Sequence, residues 1–500
     1  MDYYFSADHQ LFRDSLRQFL AREVLPNIDQ WEQDGRIPRE LWPKFGEMGY
    51  LGLNYPESYG GQGLDFFYSV VFLEEIARCF SGGFAIMPTV QQYMASPYLF
   101  HYGSEFLKET YLRKAISGEW ICSIAITEPG AGSDVANIQT KAVREGDYYI
   151  VNGSKTFITN GVYGDFLITV VKTDPDAGTA GFSLLVIDRH APGVSATALN
   201  KLGWHASDTA ELAFDQVRVP VENRIGEEGK GFYYLMGGLQ LERLSGAIAA
   251  VSASQHALEY TLGYMEQRQA FGRPLSKFQV LRHRIADLAA RIESVRYFVY
   301  HLCRVHNDGG YAVKECSMAK LLATELSDQV MYQCLQMFGG YGYIEEYKIA
   351  RMFRDSRIGT IGGGSSEIMR EIIAKMVIDD VQYQRAEEPA EAPAGMPEAG
   401  AGLAALTERV RRRAAKAPPL GLRIKFALAD AGVILLDGSG AENLVGNADG
   451  EAACTIGVSE ADFAAVLDGR LNAMQAFMSG KFQVGGDLSA AMKLGKVLGG

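Results

Sequence analysis

Hydrophobic and polar positions change their spacing along this chain, and each change marks a new kind of structure. From residue 1 to about 119, apolar residues recur at helical intervals, for example Leu11, Phe12, Leu16, Phe19, Leu20 and Val24, which predicts helices with one buried stripe. From Trp120 to about 225 the period shortens. YYIVNGSKTFITNG and DFLITVVKT alternate or cluster β-branched and aromatic residues between turn signals, as strands do. From Gly231 to Met376 long helical patterns return, as in LERLSGAIAAVSASQHALEYTLGYMEQR and LRHRIADLAARIESVRYFVYHLC. Residues 384–402, QRAEEPAEAPAGMPEAGAG, hold Pro, Ala, Gly and Glu with almost nothing to bury, and read as a flexible linker. The expected order is a helical domain at 1–119, a β domain at 120–230, a helical domain at 231–383, the linker, and a small α+β module at 403–500. No internal repeat is visible.

Composition narrows the function classes. A chain of 500 residues exceeds one compact domain, and 47% hydrophobic residues supply ample core. The formal net charge of −12 does not suit a nucleic-acid binder, which must neutralise phosphates. The short basic run Arg411, Arg412 and Arg413 reads as a solvated helix face. The six cysteines show no CxxC spacing, so neither a zinc site nor a redox dithiol is expected, and scattered free thiols fit a reducing compartment. MDYYFSADHQLFRD lacks the basic and apolar regions of a secretory signal and is acidic too early for a transit peptide. No run reaches the roughly 20 apolar residues of a membrane span. The closing KVLGG is not a peroxisomal address. The expectation is a cytoplasmic protein with no metal and no membrane span.

Four segments carry candidate chemistry. In ITEPGAGSD, residues 126–134, Pro and alternating Gly let the backbone curl, and Thr127, Ser133 and free N–H groups can face an anion. By itself this is also what a Gly-rich surface turn looks like. RQAFGRPLSKFQ, residues 268–279, joins two helical stretches; Arg268 can pair with a phosphate, while Gly272 and Pro274 break the helix. FRDSRIGTIGGGSSEIMR, residues 353–370, places Gly362, Gly363 and Gly364 before Ser365 and a helix start, an N-cap and a ready anion site, or simply a long turn. LQLERLSG, residues 239–246, puts Glu242 in a helix otherwise rich in apolar residues, where a solvent-facing Glu is the plain explanation.

Together these segments resemble the acyl-CoA dehydrogenase family, from the N-terminus to about residue 383. The resemblance is carried by AITEPGAGSDVAN, NGSKTFITNG, KLGWHASDTAELAFDQVRVP, RQAFG, MFGGYGY and RDSRI with GGGSSEIMR, in the family's order and spacing. One departure is Asn137, where the family usually has a very small residue. The resemblance implies an all-α N-terminal domain, a β-barrel-like middle domain and a C-terminal four-helix bundle. FAD is then expected between the last two, in a homotetramer built as a dimer of dimers, with electrons leaving to an electron-transfer flavoprotein. Carried over by position, Ile126, Thr127, Gly132, Ser133, Phe157 and Thr159 should contact the flavin ring and pyrophosphate. Arg268, Phe271, Gln279, Gln336 and Gly340 should hold the adenosine and pyrophosphate part from the neighbouring subunit, and Ser365 and Glu367 lie where the family has flavin-contacting polar residues. A pyrophosphate requires Arg and convergent N–H groups, and a flavin ring an aromatic wall.

Most members of that family carry the catalytic base as a Glu in the loop before the last helix, and here that position is Gly363. The long-chain and isovaleryl types instead carry it on an earlier helix in an LERL context, which this chain has at Leu241–Glu242–Arg243–Leu244. The resemblance therefore makes Glu242 the base and Arg243 a substrate contact. The move is chemically possible because the enolate formed as Cα–H is lost needs hydrogen bonds to its oxygen, worth on the order of 3 kcal/mol each. Gly363 keeps its backbone N–H, so only the carboxylate has to come from elsewhere. Burial should raise the Glu242 pKa, as a general base needs.

Residues from about 403 to 500 resemble the sterol carrier protein type-two lipid-carrier family, through EAACTIGVSEADFAAVLDGRLNAMQAFMSGKFQVGGDLSAAMKLGKVL. That family holds fatty acyl chains, acyl-CoA or sterols in an apolar tunnel. Phe463, Val466, Leu467, Leu471, Met474, Phe477 and Met478 fall at helical spacing, either as tunnel lining or as ordinary core. The expected activity is FAD-dependent α,β-dehydrogenation of an acyl-CoA to the trans-2-enoyl-CoA. Two alternatives stay open: an acyl-CoA oxidase that passes electrons to oxygen, and a lipid-binding protein whose dehydrogenase part is an inactive scaffold.

Overall fold

A computed structural model describes residues 3–383 and, within 403–486, all but 415–418, 429–431, 441 and 468–481; the expected linker lies outside the described residues. The chain divides into two compact units, at 1–390 and 391–500.

The first unit opens with helices. α1 (Ala7–Glu23) is started by Ser6, whose hydroxyl accepts from the His9 N–H while the His9 ring reaches back to the Ser6 N–H. It buries Leu16, Phe19 and Leu20, and Val24 just beyond its end. Leu11 is 68% exposed, unlike the stripe expected from the sequence. Five residues turn a helix by roughly 140° beyond a full circle, which carries Leu11 away from the face of Leu16. α2 (Phe66–Ala77) is apolar nearly all round and correspondingly central, buried on every side.

The middle of the unit is a folded sheet of β1 (Cys122–Ala125), β2 (Lys141–Glu145), β3 (Tyr148–Thr159), β4 (Phe166–Lys172), β5 (Phe182–Asp188), β6 (Val194–Ala198), β7 (Thr209–Pro220) and β8 (Arg224–Ile225). Its path runs β6-β7-β3-β2-β4-β5-β8, with β1 also paired to β4. β2 and β4 are joined only by the pair Lys141 and Lys172, so the sheet folds into two halves there. Between the halves lies a core of Tyr149, Val151, Leu167, Val171, Leu185, Leu212 and Phe214. The barrel-like middle domain expected from the sequence is thus a folded sheet whose path ends at β6 and β8. The opposite faces of β4 and β5 pack Phe166, Ile168, Leu184 and Val186 against the helical part, which explains their near-continuous apolar runs.

Helices then return as α3 (Gly231–Gln267), α4 (Gln279–Asn307), α5 (Val313–Phe338), α6 (Lys348–Ser356) and α7 (Ser366–Val377). α3 packs along α5, α4 and α2. Its first residue, Gly231, sits so close to β5 that a Cβ there would meet the Ser183 backbone at 2.7 Å. The long helix is therefore docked on the sheet at one end and runs through the bundle at the other.

The second unit has α8 (Leu403–Ala414), β9 (Arg423–Leu428), β10 (Gly432–Asp437), β11 (Leu444–Gly446), β12 (Cys454–Val458), α9 (Glu460–Leu467) and β13 (Gln483–Gly486) among its described residues. The strand order is β11-β10-β9-β12-β13, with β9 and β12 parallel and the other pairs antiparallel. Leu406, Val410, Phe426, Ile456, Phe463, Val466 and Leu467 form its core, so the last three are packing residues here. Leu471, Met474, Phe477 and Met478 lie outside the described residues. Arg411 and Arg412 reach Glu408 on the exposed face of α8, while Arg413 turns to the Leu467 carbonyl at 2.7 Å.

Candidate active site

α3 carries Glu242 into the interior of the first unit, and the loop between α6 and α7 brings Gly363 to meet it. A Cβ built on Gly363 would stand 3.4 Å from the Glu242 Oε1. Two positions 121 residues apart therefore face one point from different backbones. The Glu242 carboxylate accepts no hydrogen bond among the described residues. It is set deep in the fold but keeps part of its surface open, as a group lining a cleft does. Burial raises its pKa, and the opposing charges of Arg243 and Lys320 offset only part of that rise.

Gly363 and Gly364 both have left-handed backbone, with φ of 63° and 85°. A side chain is strained there, and glycine is not. The Gly363 N–H has no protein acceptor among the described residues. Ser365 caps α7 by accepting from the Ile368 N–H at 3.4 Å, and Gly362 donates to the Ile358 carbonyl at 2.8 Å, so the loop is tied on both sides. Below Glu242 by one helical turn, Gly238 lets the Tyr98 hydroxyl approach to 2.2 Å of its missing Cβ position. Tyr98 donates to the Leu235 carbonyl at 3.3 Å. Arg243, expected to touch substrate, is 7% exposed, with its Nη1 3.4 Å from Gln240 Oε1 and its Nε unpartnered.

Most of the residues carried over for the cofactor fall into three places. Ile126, Thr127, Gly132 and Ser133 follow β1 in a tight turn, closed by paired bonds between Glu128 and Ala131 at 3.1 and 3.0 Å. β3 is joined to this turn by the Thr156 N–H, 2.8 Å from the Thr127 carbonyl. The pairing of β3 with β7 shifts between Lys155 and Ile158, and at this bulge Phe157 takes φ 62° and stands 69% exposed. Holding an aromatic ring in solvent on a left-handed backbone is unfavourable for folding alone, and fits a wall for a planar ligand. Thr159 is half-buried at the end of the same strand.

A second place is the cleft of about 600 Å³ shared by Arg268, Gln336 and Gly340, with the Arg268 guanidinium 5.3 Å over the Tyr341 ring. Phe271, 96% exposed, tips the adjoining hairpin and Gln279 opens α4; neither lines that cleft. Ser365 and Glu367 instead share a third place, a cleft of about 470 Å³ with Arg357, Thr360, Asp328 and Glu325. Exposed Arg, amide, hydroxyl and aromatic groups of this kind fit a flavin dinucleotide.

Sequence reasoning passed over Lys320, whose Nζ donates to the Gly364 carbonyl at 2.5 Å. Its signal was present: Cys316, Ala319, Ala323 and Leu326 share its face of α5, so a Lys there is buried. It also passed over Glu128 and Lys155. The Lys155 Nζ lies 2.8 Å from Glu128 Oε1 and 2.9 Å from the Ile126 carbonyl, and Glu128 accepts as well from the Gln139 and Thr140 N–H groups. This buried cluster holds the 126–133 turn to β3.

The chain belongs to the acyl-CoA dehydrogenase family. It matches that family's N-terminal domain over residues 6–119, middle domain over 123–217 and C-terminal domain over 229–378, and the SCP-2 sterol transfer family over 403–499. It is 42% identical to the mitochondrial long-chain specific acyl-CoA dehydrogenase of Sus scrofa, across 75% of this chain and 88% of that one. Among solved structures, an acyl-CoA dehydrogenase from Geobacillus kaustophilus is 46% identical, with a TM-score of 0.74 over 76% of this chain and 100% of that one. A glutaryl-CoA dehydrogenase from Mycobacterium smegmatis, solved in complex with FADH2, is 27% identical with a TM-score of 0.72, across 77% and 98% of the two chains. The protein is an acyl-CoA dehydrogenase with a fused SCP-2 lipid-binding domain.

Proposed function

We propose that this enzyme oxidises medium-to-long or branched acyl-CoA thioesters to trans-2-enoyl-CoA with FAD, and that an electron-transfer flavoprotein takes the electrons. The observation that carries the reading is the meeting of Glu242 with Gly363. Glu242 removes the Cα proton: its carboxylate is unbonded among the described residues, and its raised pKa brings its basicity nearer to that of the reacting carbon. The Gly363 N–H donates to the thioester oxygen and so stabilises the charge that gathers there as the proton leaves. Ile126, Thr127, Gly132, Ser133, Phe157, Thr159, Ser365 and Glu367 hold FAD, and Arg268, Phe271, Gln279, Gln336 and Gly340, exposed on this chain, hold the flavin of a neighbouring copy in a homotetramer. Bound there, FAD supplies the acceptor for the β-hydride.

The scaffold reading, which rests on the missing carboxylate at Gly363, is disfavoured because the Glu242 carboxylate lies 3.4 Å from the Cβ position of Gly363. The SCP-2 domain, tethered through the Ala/Pro/Glu-rich 384–402, raises the local concentration of poorly soluble acyl-CoA. Six free cysteines, all buried, support a reducing cytoplasmic location. The test is anaerobic flavin bleaching by a panel of acyl-CoA thioesters, repeated with oxygen uptake monitored. Fast bleaching by long or branched substrates is expected. Preference for butyryl-CoA over all others would overturn the substrate class, and oxygen uptake without an added acceptor would replace the flavoprotein partner with oxygen.

A further inference from the structure

Two lysines are buried among the described residues, Lys155 and Lys320. Glu128 accounts for the first. Lys320 has no carboxylate at bonding distance among the described residues, yet it is 4% exposed and spends its strongest bond on a backbone carbonyl, Gly364 O at 2.5 Å. A buried ammonium without a bonded carboxylate is costly, and bundle packing alone is served as well by Met or Leu. The bond falls in the one stretch of the site that has no side chains to hold it. Gly362, Gly363 and Gly364 form the most freely moving kind of backbone, while the Gly363 N–H must meet a carbonyl oxygen to within a fraction of an ångström.

We propose that Lys320 is a positioning residue for the dehydrogenation. From α5 it clamps the Gly364 carbonyl, two peptide units beyond the one that carries the Gly363 N–H, so restrains the glycine loop that presents that N–H, and sets a positive charge beside both Glu242 and the oxygen that gathers charge. This rests on the reading of Glu242 as base and Gly363 as donor. The charged groups facing Lys320 are Glu242 and Arg243 on α3, Glu325 on its own helix and Glu367 on α7. Burial brings its pKa down to about 8, held up by the three carboxylates and opposed by Arg243. The same charge works against burial at Glu242.

The holoenzyme variants K320M, K320Q, K320R and E242Q test this with three readouts. These are anaerobic flavin reduction by saturating acyl-CoA, its pH profile, and the infrared stretch of a bound acyl-CoA isotope-labelled at the thioester carbonyl. K320M should bind acyl-CoA normally but reduce its flavin about 10–100-fold more slowly, the cost of misplacing a donor by roughly an ångström. Its acid limb should move to higher pH, because Glu242 loses a cation, and its carbonyl stretch should return toward the free value. K320Q keeps a donor for Gly364 without charge, so it should recover the stretch but not the limb, and K320R should recover both. An unchanged stretch and limb in K320M overturn the proposal. So does a K320M that loses flavin together with K320Q and K320R that regain neither stretch nor rate. E242Q separates the underlying reading: it should slow bleaching by about 10²–10⁴ while leaving the stretch as in wild type. A fully active E242Q removes the base assignment but leaves the carbonyl test of Lys320 standing.

Discussion

Lys155 and Lys320 are both buried, both set beside a glutamate, and both brought to a pKa of about 8 by burial against the pull of that carboxylate. Their glutamates nevertheless go opposite ways. Glu128 receives the Lys155 ammonium at 2.8 Å and two backbone N–H groups. Burial pushes its pKa up, but these partners outweigh it and the net shift is down. Glu242 feels Lys320 only through space, accepts no hydrogen bond among the described residues, and is shifted up. The residue types are alike at the two sites, but their surroundings are not: the partners of Glu128 make it a fixed anion, while Glu242, desolvated and without a hydrogen bond among the described residues, is ready to take a proton.

The comparison breaks most directly at Glu242. Glu242→Gln should lower the rate of flavin reduction by about 10²–10⁴, the usual value of a general base, with FAD and acyl-CoA still bound. Clearing the site with Glu242→Ala and adding Gly363→Glu should restore part of the rate. The new side chain starts 3.4 Å from where the old carboxylate oxygen stood, though on a strained backbone at φ 63°. Wild-type bleaching by Glu242→Gln would show that the unbonded carboxylate is not the base.

Lys155→Met should act on stability instead. It leaves Glu128 buried without its cation, at a cost of about 3–5 kcal/mol, seen as a clear fall in the melting temperature. A variant that melts with the wild type would show that Glu128 and Lys155 are not a clamp.

The smallest effect is in pH. The raised Glu242 value puts the ascending limb of the reduction rate above the ordinary glutamate value of 4.5. The lowered Glu128 value makes its share of stability complete above 4.5 and lost only as pH falls through the folded value below it. On acidification, activity should therefore fall before this part of the stability does. Rate and melting temperature measured across the same acidic range check it, and a common midpoint for the two would contradict the difference between the sites.

Much of this was legible in the chain. The change from helical to strand spacing near Trp120 and back near Gly231 follows from which faces are buried, because side chains on each element repeat with its period. GGGSSEIMR announced a glycine loop and a capped helix, and Ser365 caps it. Leu11 misled because one apolar residue fits a helical pattern whichever way it faces. The fold between the two halves of the sheet was not visible, since the single residue pair joining β2 to β4 leaves no trace in strand spacing.

The sequence by itself determined the elements, the glycines that can take left-handed backbone, and the presence of a Glu and a Lys on otherwise apolar helix faces. Local propensity, capping and periodicity act over a few residues, so they are written in the order of residues. Only the tertiary structure decided that Glu242 and Gly363 share one point, that Lys320 reaches Gly364, and that Glu128 is satisfied while Glu242 is not. Those facts depend on how α3, α5 and the loop before α7 pack. A carboxylate's protonation is set by the partners and solvent that packing brings to it, not by its neighbours in the chain.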